Sequence, residues 1–196
     1  SAPVSTVIMP RMARLHAEGR HDEMILVYRN ATQLVSVVAG SASLTIAFFA
    51  EPLLYAWTGD KEIASNAAPI LALYALGNGV LAVSAFSYYL QYALGNLRYH
   101  LIGNLVNVIT LIPTVIWAAT EYGGVGAGWA WLGINSLYLI LWVGYVHHKI
   151  QPGVHVGWLS KDILGIYIPV ILLLFLASSY VRYQTRQEAF ITLVVV

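Results

Sequence analysis

Five stretches of the chain, Leu34 to Phe49, Ala67 to Leu94, Leu101 to Ala119, Val125 to Val146 and Ile163 to Tyr180, are long, apolar and free of interior Asp, Glu, Lys and Arg. Each approaches or exceeds the roughly 20 residues with which a helix crosses a hydrocarbon core of ~30 Å. A soluble chain of 196 residues could not hide five such helices, because 59% of its residues are hydrophobic and only 10% are charged. That leaves too little polar surface to cover them. The expected fold is all-α, a polytopic helical bundle in one membrane domain. Spans are expected at about 31–57, 67–94, 99–119, 125–146 and 163–181, with partial spans at 1–10 and 189–196. Ser1 without a preceding Met, and the apolar run Phe190 to Val196, read as cut ends of a longer chain.

Basic residues alternate from one connection to the next. Arg11, Arg14, Arg20 and Arg29 fall in the first, Arg98 in the third, and Lys149 and Lys161 in the fifth, against Lys61, Arg182 and Arg186 in the others. Seven against three puts the first, third and fifth connections on the cytoplasmic side. Ser65 or Asn66 is the expected cap of the second full span, with Pro69 in its first turn, and Gly95 with Asn96 its expected end. Pro113 and Pro169 lie inside spans as kink positions, while Trp57, Trp117 and Trp158 lie near span ends as interface anchors.

The chemistry open to such a chain lies in its neutral polar residues. Tyr74, Asn78, Ser84, Tyr88 and Gln91 recur near helical spacing in one span, and Asn104, Asn107, Thr110 and Thr114 do so in the next. Two readings of these stripes stand. Amides and hydroxyls can bond helix to helix, or they can line a hydrated cavity for sugar hydroxyls. On the second reading the substrate-cavity residues are Asn78, Ser84, Tyr88, Gln91, Asn104 and Asn107. Arg11 and Arg14, on a basic amphipathic stretch at the inner surface, are the candidates for contact with a lipid headgroup.

Other chemistries find little footing. A net charge of +1, with cations beside spans and no basic patch, argues against nucleic acid as a partner. There is no cysteine for a disulfide or a thiolate site. Gly123, Gly124, Gly126 and Gly128 lack the Lys and spacing of a phosphate loop, whereas Gly124 and Gly128 form a GxxxG face for close helix contact. His16, His21, His100, His147, His148 and His155 all map to the inner side without a metal-ligand motif, so headgroup contact is their expected role. No metal, cofactor or catalytic residue is expected, and an enzyme is not. Glu51 before Pro52 is the one acid near a span end that could serve ion coupling.

Several stretches together resemble a known family. The segment from Val7 through Pro10 and Arg11 to Gly19, the segment Glu51 to Asp60, Leu90 to Gly95, and Tyr122 to Trp131 followed by Asn135 are similar, in order, to the second half of bacterial polysaccharide flippases. These are the O-antigen and exopolysaccharide exporters of the multidrug/oligosaccharidyl-lipid/polysaccharide superfamily. The resemblance implies the C-terminal lobe and trailing helices of a two-lobe transporter in the bacterial inner membrane. It implies transfer of an undecaprenyl-diphosphate-linked oligosaccharide from the inner to the outer leaflet by alternating access. Partners so implied are that lipid-linked substrate, membrane lipids and other glycan-assembly proteins. The family's cationic cavity residues have no counterpart within these spans. Alternatives are a drug/cation antiporter of the same superfamily, a lipid II flippase, and a membrane enzyme of the glycan pathway.

Overall fold

With no water to satisfy its amides, backbone inside a bilayer must close its hydrogen bonds within each segment. The computed structural model of the protein describes residues 2–180, 185 and 187–189, and among these every long element is a helix. Arg182 and Arg186, and all but Ala189 of the expected partial span 189–196, lie outside the described residues. Helix α1 is Ala2–Ala17, α2 His21–Phe48, α3 Ala50–Thr58 and α4 Lys61–Ala93. The run Arg98–Ile150 reverses at Gly123 and so forms two helices, α5 (98–122) and α6 (124–150). Helix α7 is Val154–Ser179. The runs α2, α4, Arg98–Ile150 and α7 are long and apolar enough to cross a membrane, and the protein is a membrane protein.

The helix boundaries have local causes. Helix α2 starts at His21 with Asp22 and Glu23 in its first turn, where carboxylates favour the positive end of the helix dipole. It stops at Phe48 because Pro52 has no N–H for the Phe48 carbonyl, and Phe49 leaves helical geometry at φ −113°, ψ 26°. Helix α4 is capped by Asp60, whose carboxylate accepts from the N–H of Glu62 at 2.8 Å and of Ile63 at 3.1 Å. The expected cap at Ser65 or Asn66 is therefore corrected: the helix begins a turn earlier and Pro69 lies inside it. At its other end α4 stops at Ala93, and Gly95 takes φ +68°. Three helices contain a widened π-turn, at Ser36–Gly40 in α2, Tyr138–Trp142 in α6 and Trp158–Leu164 in α7.

The α5–α6 hairpin folds back tightly. Gly123 sits at φ 65°, ψ −155°, a conformation open essentially to glycine alone. The arms then run antiparallel, with the Trp142 indole over Gly103 and the Tyr99 and Tyr145 rings 5.9 Å apart. Helix α6 lies parallel to α4, where Gly124 faces Ile70, Gly128 faces Leu73, and Gly77 of α4 faces Trp131. Gly124 and Gly128 thus form the surface on which α4 sits, and at Gly128 an added Cβ would meet Leu73 Cβ at 2.9 Å. Helices α2 and α7 are likewise parallel, joined along their length from Arg29 and Asp162 to Leu44 and Leu174.

The main core lies at the end of the bundle where α1, α6 and α4 finish and α2 and α7 begin. Met12, Met24, Tyr28, Phe86, Leu90, Val143 and Trp158 are among its buried members. Toward the opposite end α5 and α7 present Ile112, Ile116, Leu172, Leu173 and Phe175 outward, as lipid-facing helices do. We predict that Gly123→Ala, which places a Cβ in a glycine-only region, lowers stability by about 1–3 kcal/mol. The expected sign is a depressed thermal midpoint of the detergent-solubilised protein, and an unchanged midpoint would show that the turn relaxes freely.

Candidate functional site

The polar residues of α4 and α5 meet across one cavity of about 480 Å³, within the range of ligand sites. Ser84 and Tyr88 come from α4, Asn104 and Asn107 from α5, joined by His100 and by Tyr138 of α6. The antiparallel run of α4 into α5 through the short connection at Gly95 sets these two faces against each other. The Tyr88 and His100 rings lie 4.4 Å apart, and the Asn104 amide nitrogen is 3.0 Å from His100 Nε2. The wall thus offers hydroxyls, amides and aromatic faces, with an imidazole as its titratable group besides the tyrosines. Asn107 Oδ1 has lost contact with solvent and has no hydrogen-bond partner among the described residues.

Asn78 and Gln91 are not part of this wall. At about 100° per residue they sit about 140° apart around α4, at the two edges of the stripe. Asn78 is exposed, whereas Gln91 points into the core, 1% exposed, with Nε2 on the Ser87 carbonyl and Oε1 unpartnered. Arg11 is exposed and borders a separate cleft of about 280 Å³ with Ile8, Glu23 and Asn30. Arg14 is exposed and lies 3.8 Å from Glu18.

The stripes bond within their own helices. Ser84 donates to Val80 O, Thr110 to Val106 O and Thr114 to Thr110 O, at 2.7–2.9 Å, and the Asn104 contact with His100 is also intrahelical. Such i−4 bonds satisfy a hydroxyl proton while leaving oxygen lone pairs available to a ligand.

Bonding between helices is concentrated elsewhere, in a buried cluster at the core end. Arg29 of α2 forks onto Asp162 of α7 at 2.6 and 3.0 Å, and Gln33 Nε2 donates to Asp162 Oδ1 at 2.7 Å. Asp162 is fully buried. Tyr28 Oη is 2.8 Å from His147 Nε2, and His147 Nδ1 is 3.0 Å from His155 Nδ1. Trp158 stacks on Tyr28 at 6.1 Å and donates from Nε1 to Thr32 Oγ1 at 2.9 Å. Sequence reading missed this cluster because each partner, taken alone, reads as a charge or ring at a span end.

Two expectations are corrected here. Trp158 is 0% exposed, a core residue held by Tyr28 and Thr32, whereas Trp57 and Trp117 are open to the surroundings as anchors would be. His147 is equally buried and so is unavailable to headgroups, while His148 beside it on the helix faces outward. Among the described residues no group of three or more His, Cys, Asp and Glu is placed to hold a metal ion.

Removing one member of a buried ion pair leaves the other desolvated. Arg29 keeps a third of its side chain exposed, so Asp162→Ala is expected to cost about 2–3 kcal/mol, below the range for wholly buried pairs. The double variant Arg29→Met with Asp162→Leu should recover most of it. Thermal midpoints of the two proteins in detergent test this, and equal losses in both would assign the cost to packing. Comparison of the chain with protein-family models, curated proteins and solved structures finds no match in any of the three.

Proposed function

We propose that this chain is the C-terminal lobe, with trailing helices, of a flippase that carries an undecaprenyl-diphosphate-linked oligosaccharide from the inner to the outer leaflet of the bacterial inner membrane by alternating access. The observation that carries the reading is the cavity between α4 and α5, where Ser84, Tyr88, Asn104 and Asn107 converge with their internal hydrogen bonds confined to their own helices. A wall of this kind can pair with sugar hydroxyls without a fixed charge, and its aromatic rings can stack on pyranose faces. The lipid tail would stay in hydrocarbon while only the polar head crosses. Carriage of this kind needs no catalytic centre, so the reading is of a transporter and not of an enzyme, working beside other glycan-assembly proteins.

The antiporter alternative is less well supported. Coupling to protons or cations calls for an acid free to change its state. Asp162, the fully buried acid among the described residues, is already held by Arg29 and Gln33, and Glu51 is exposed in the first turn of α3, outside the long spans.

These 196 residues contain no cysteine, so single thiols placed in them in an intact protein with any other cysteine replaced by serine report without background. Cysteines at Tyr88, Asn104 and Asn107 in the intact protein are expected to react with a water-soluble maleimide, and one at Leu172 on the lipid side is not. The paired change Asn104→Leu with Asn107→Leu should slow oligosaccharide transfer about tenfold, the effect of one to two lost hydrogen bonds. Transfer is read as the leaflet distribution of the undecaprenyl-linked glycan under a membrane-impermeant glycan label. An unaltered distribution after deletion of the whole gene would reject the flippase reading.

A further inference from the structure

The polar cavity has an apolar neighbour. Between the arms of the α5–α6 hairpin lies a groove of about 360 Å³ walled by Val106, Thr110, Ile134, Leu137, Leu141 and Trp142. Asn107 and Tyr138 line both this groove and the cavity, so the two volumes meet at a common wall. Leu137, Leu141 and Val106 are exposed, which opens the groove to the hydrocarbon around the protein. The π-turn at Tyr138–Trp142 forms one side of it, and widened turns of this kind recur at functional sites.

Two polar atoms mark the junction. Asn107 Oδ1 and Trp142 Nε1 are both shielded from solvent, and neither has a hydrogen-bond partner among the described residues. An unpaired buried donor or acceptor carries a desolvation cost that a ligand bonding to it can remove. Asn107 stands nine residues beyond Arg98, which is ~14 Å along α5 and close to half of a ~30 Å hydrocarbon core. Trp142 lies nearer the inner end, at the height of Gly103. A molecule spanning both volumes therefore has a polar part between α4 and α5 and an apolar part between α5 and α6.

Resting on the flippase reading above, we propose that the α5–α6 groove holds the proximal isoprenoid units of the lipid substrate's chain while its headgroup occupies the adjoining cavity. Asn107, which lines both volumes, stands where head and tail join, and its Oδ1 can accept from a hydroxyl of the headgroup's sugar. This shared wall gives the chain a way to tell a prenyl-linked sugar from a free saccharide.

The test uses the intact protein in nanodiscs and a diazirine-bearing farnesyl phosphate, with a diazirine-bearing phosphatidylcholine as the bulk-lipid control. Adducts are mapped by peptide mass spectrometry. The farnesyl probe should label Ile134 to Trp142 saturably, and the phosphatidylcholine probe should not. Thr110→Trp, which fills the groove, and Leu141→Asn, which makes its mouth polar without touching the core, should each cut that labelling about tenfold. Ile109→Trp, on an exposed position outside the groove, should leave it unchanged. Labelling spread evenly over lipid-facing residues such as Leu105 and Leu172, equal labelling by both probes, or indifference to both groove variants would overturn the proposal. Oligosaccharide transfer is measured on the same preparations. Transfer with diffuse labelling would leave the flippase reading intact without the groove, and saturable labelling without transfer would do the reverse.

Discussion

The bundle depends on hydrogen bonds and charge held between helices that lipid would otherwise let drift. Apolar side chains gain nothing by leaving hydrocarbon for one another, so helices in a bilayer associate through close packing and polar contacts. Here the polar contacts gather at one end, where Asp162 of α7 accepts from Arg29 and Gln33 of α2, and Tyr28 of α2 meets His147 of α6. Three helices are thereby fixed in height and rotation at a single level. Close packing governs the rest, as where Gly124 and Gly128 of α6 lie against α4.

The distribution of bonding separates two kinds of polar residue. Those in the core cluster are spent on each other, and each loses a partner if the helices move. Around the α4–α5 cavity Ser84 draws on a carbonyl of its own helix and Asn104 on His100 of its own helix, so they tie no second helix in place and keep lone pairs open to a ligand. A site that must take up and release a hydroxylated ligand benefits from the second arrangement, because the Ser84 proton is already placed and acceptors such as Asn107 Oδ1 wait for a ligand hydroxyl.

Much of the architecture was legible because hydrophobic length and helical period are local signals. The apolar runs, the end of α4 at Gly95 and the glycine face of α6 can all be read within a window of a few turns. Four of the six cavity residues meet for the same reason, since α4 and α5 are consecutive and their facing sides follow from helical spacing. Asn78 and Gln91 fell away because a stripe extended over thirteen residues drifts around the helix. The core cluster was not legible: Arg29 and Asp162 are 133 residues apart, and Tyr28 and His147 are 119 apart. Seen singly, Arg29 counted as a topological charge and Trp158 as an interfacial ring, and only the parallel pairing of α2 with α7 turns both inward. Pro52 ended α2 by removing an N–H from the Phe48 carbonyl, an effect that hydropathy does not register.

The π-turns carry a consequence for how this chain tolerates gain and loss of residues. A widened turn holds one residue more than an α-helical turn of about the same rotation, so the loss of one residue there can be taken up by closing the turn to α geometry. In α6 the turn at Tyr138–Trp142 lies between the glycine face on α4 and His147. A single deletion within it can therefore leave both contacts in place, the glycine face on α4 and the imidazole on Tyr28. In α7 the turn at Trp158–Leu164 contains Asp162 itself. The segment from Gly128 to His147 should therefore tolerate the loss of one residue, because the turn between them, and not the count alone, aims the histidine.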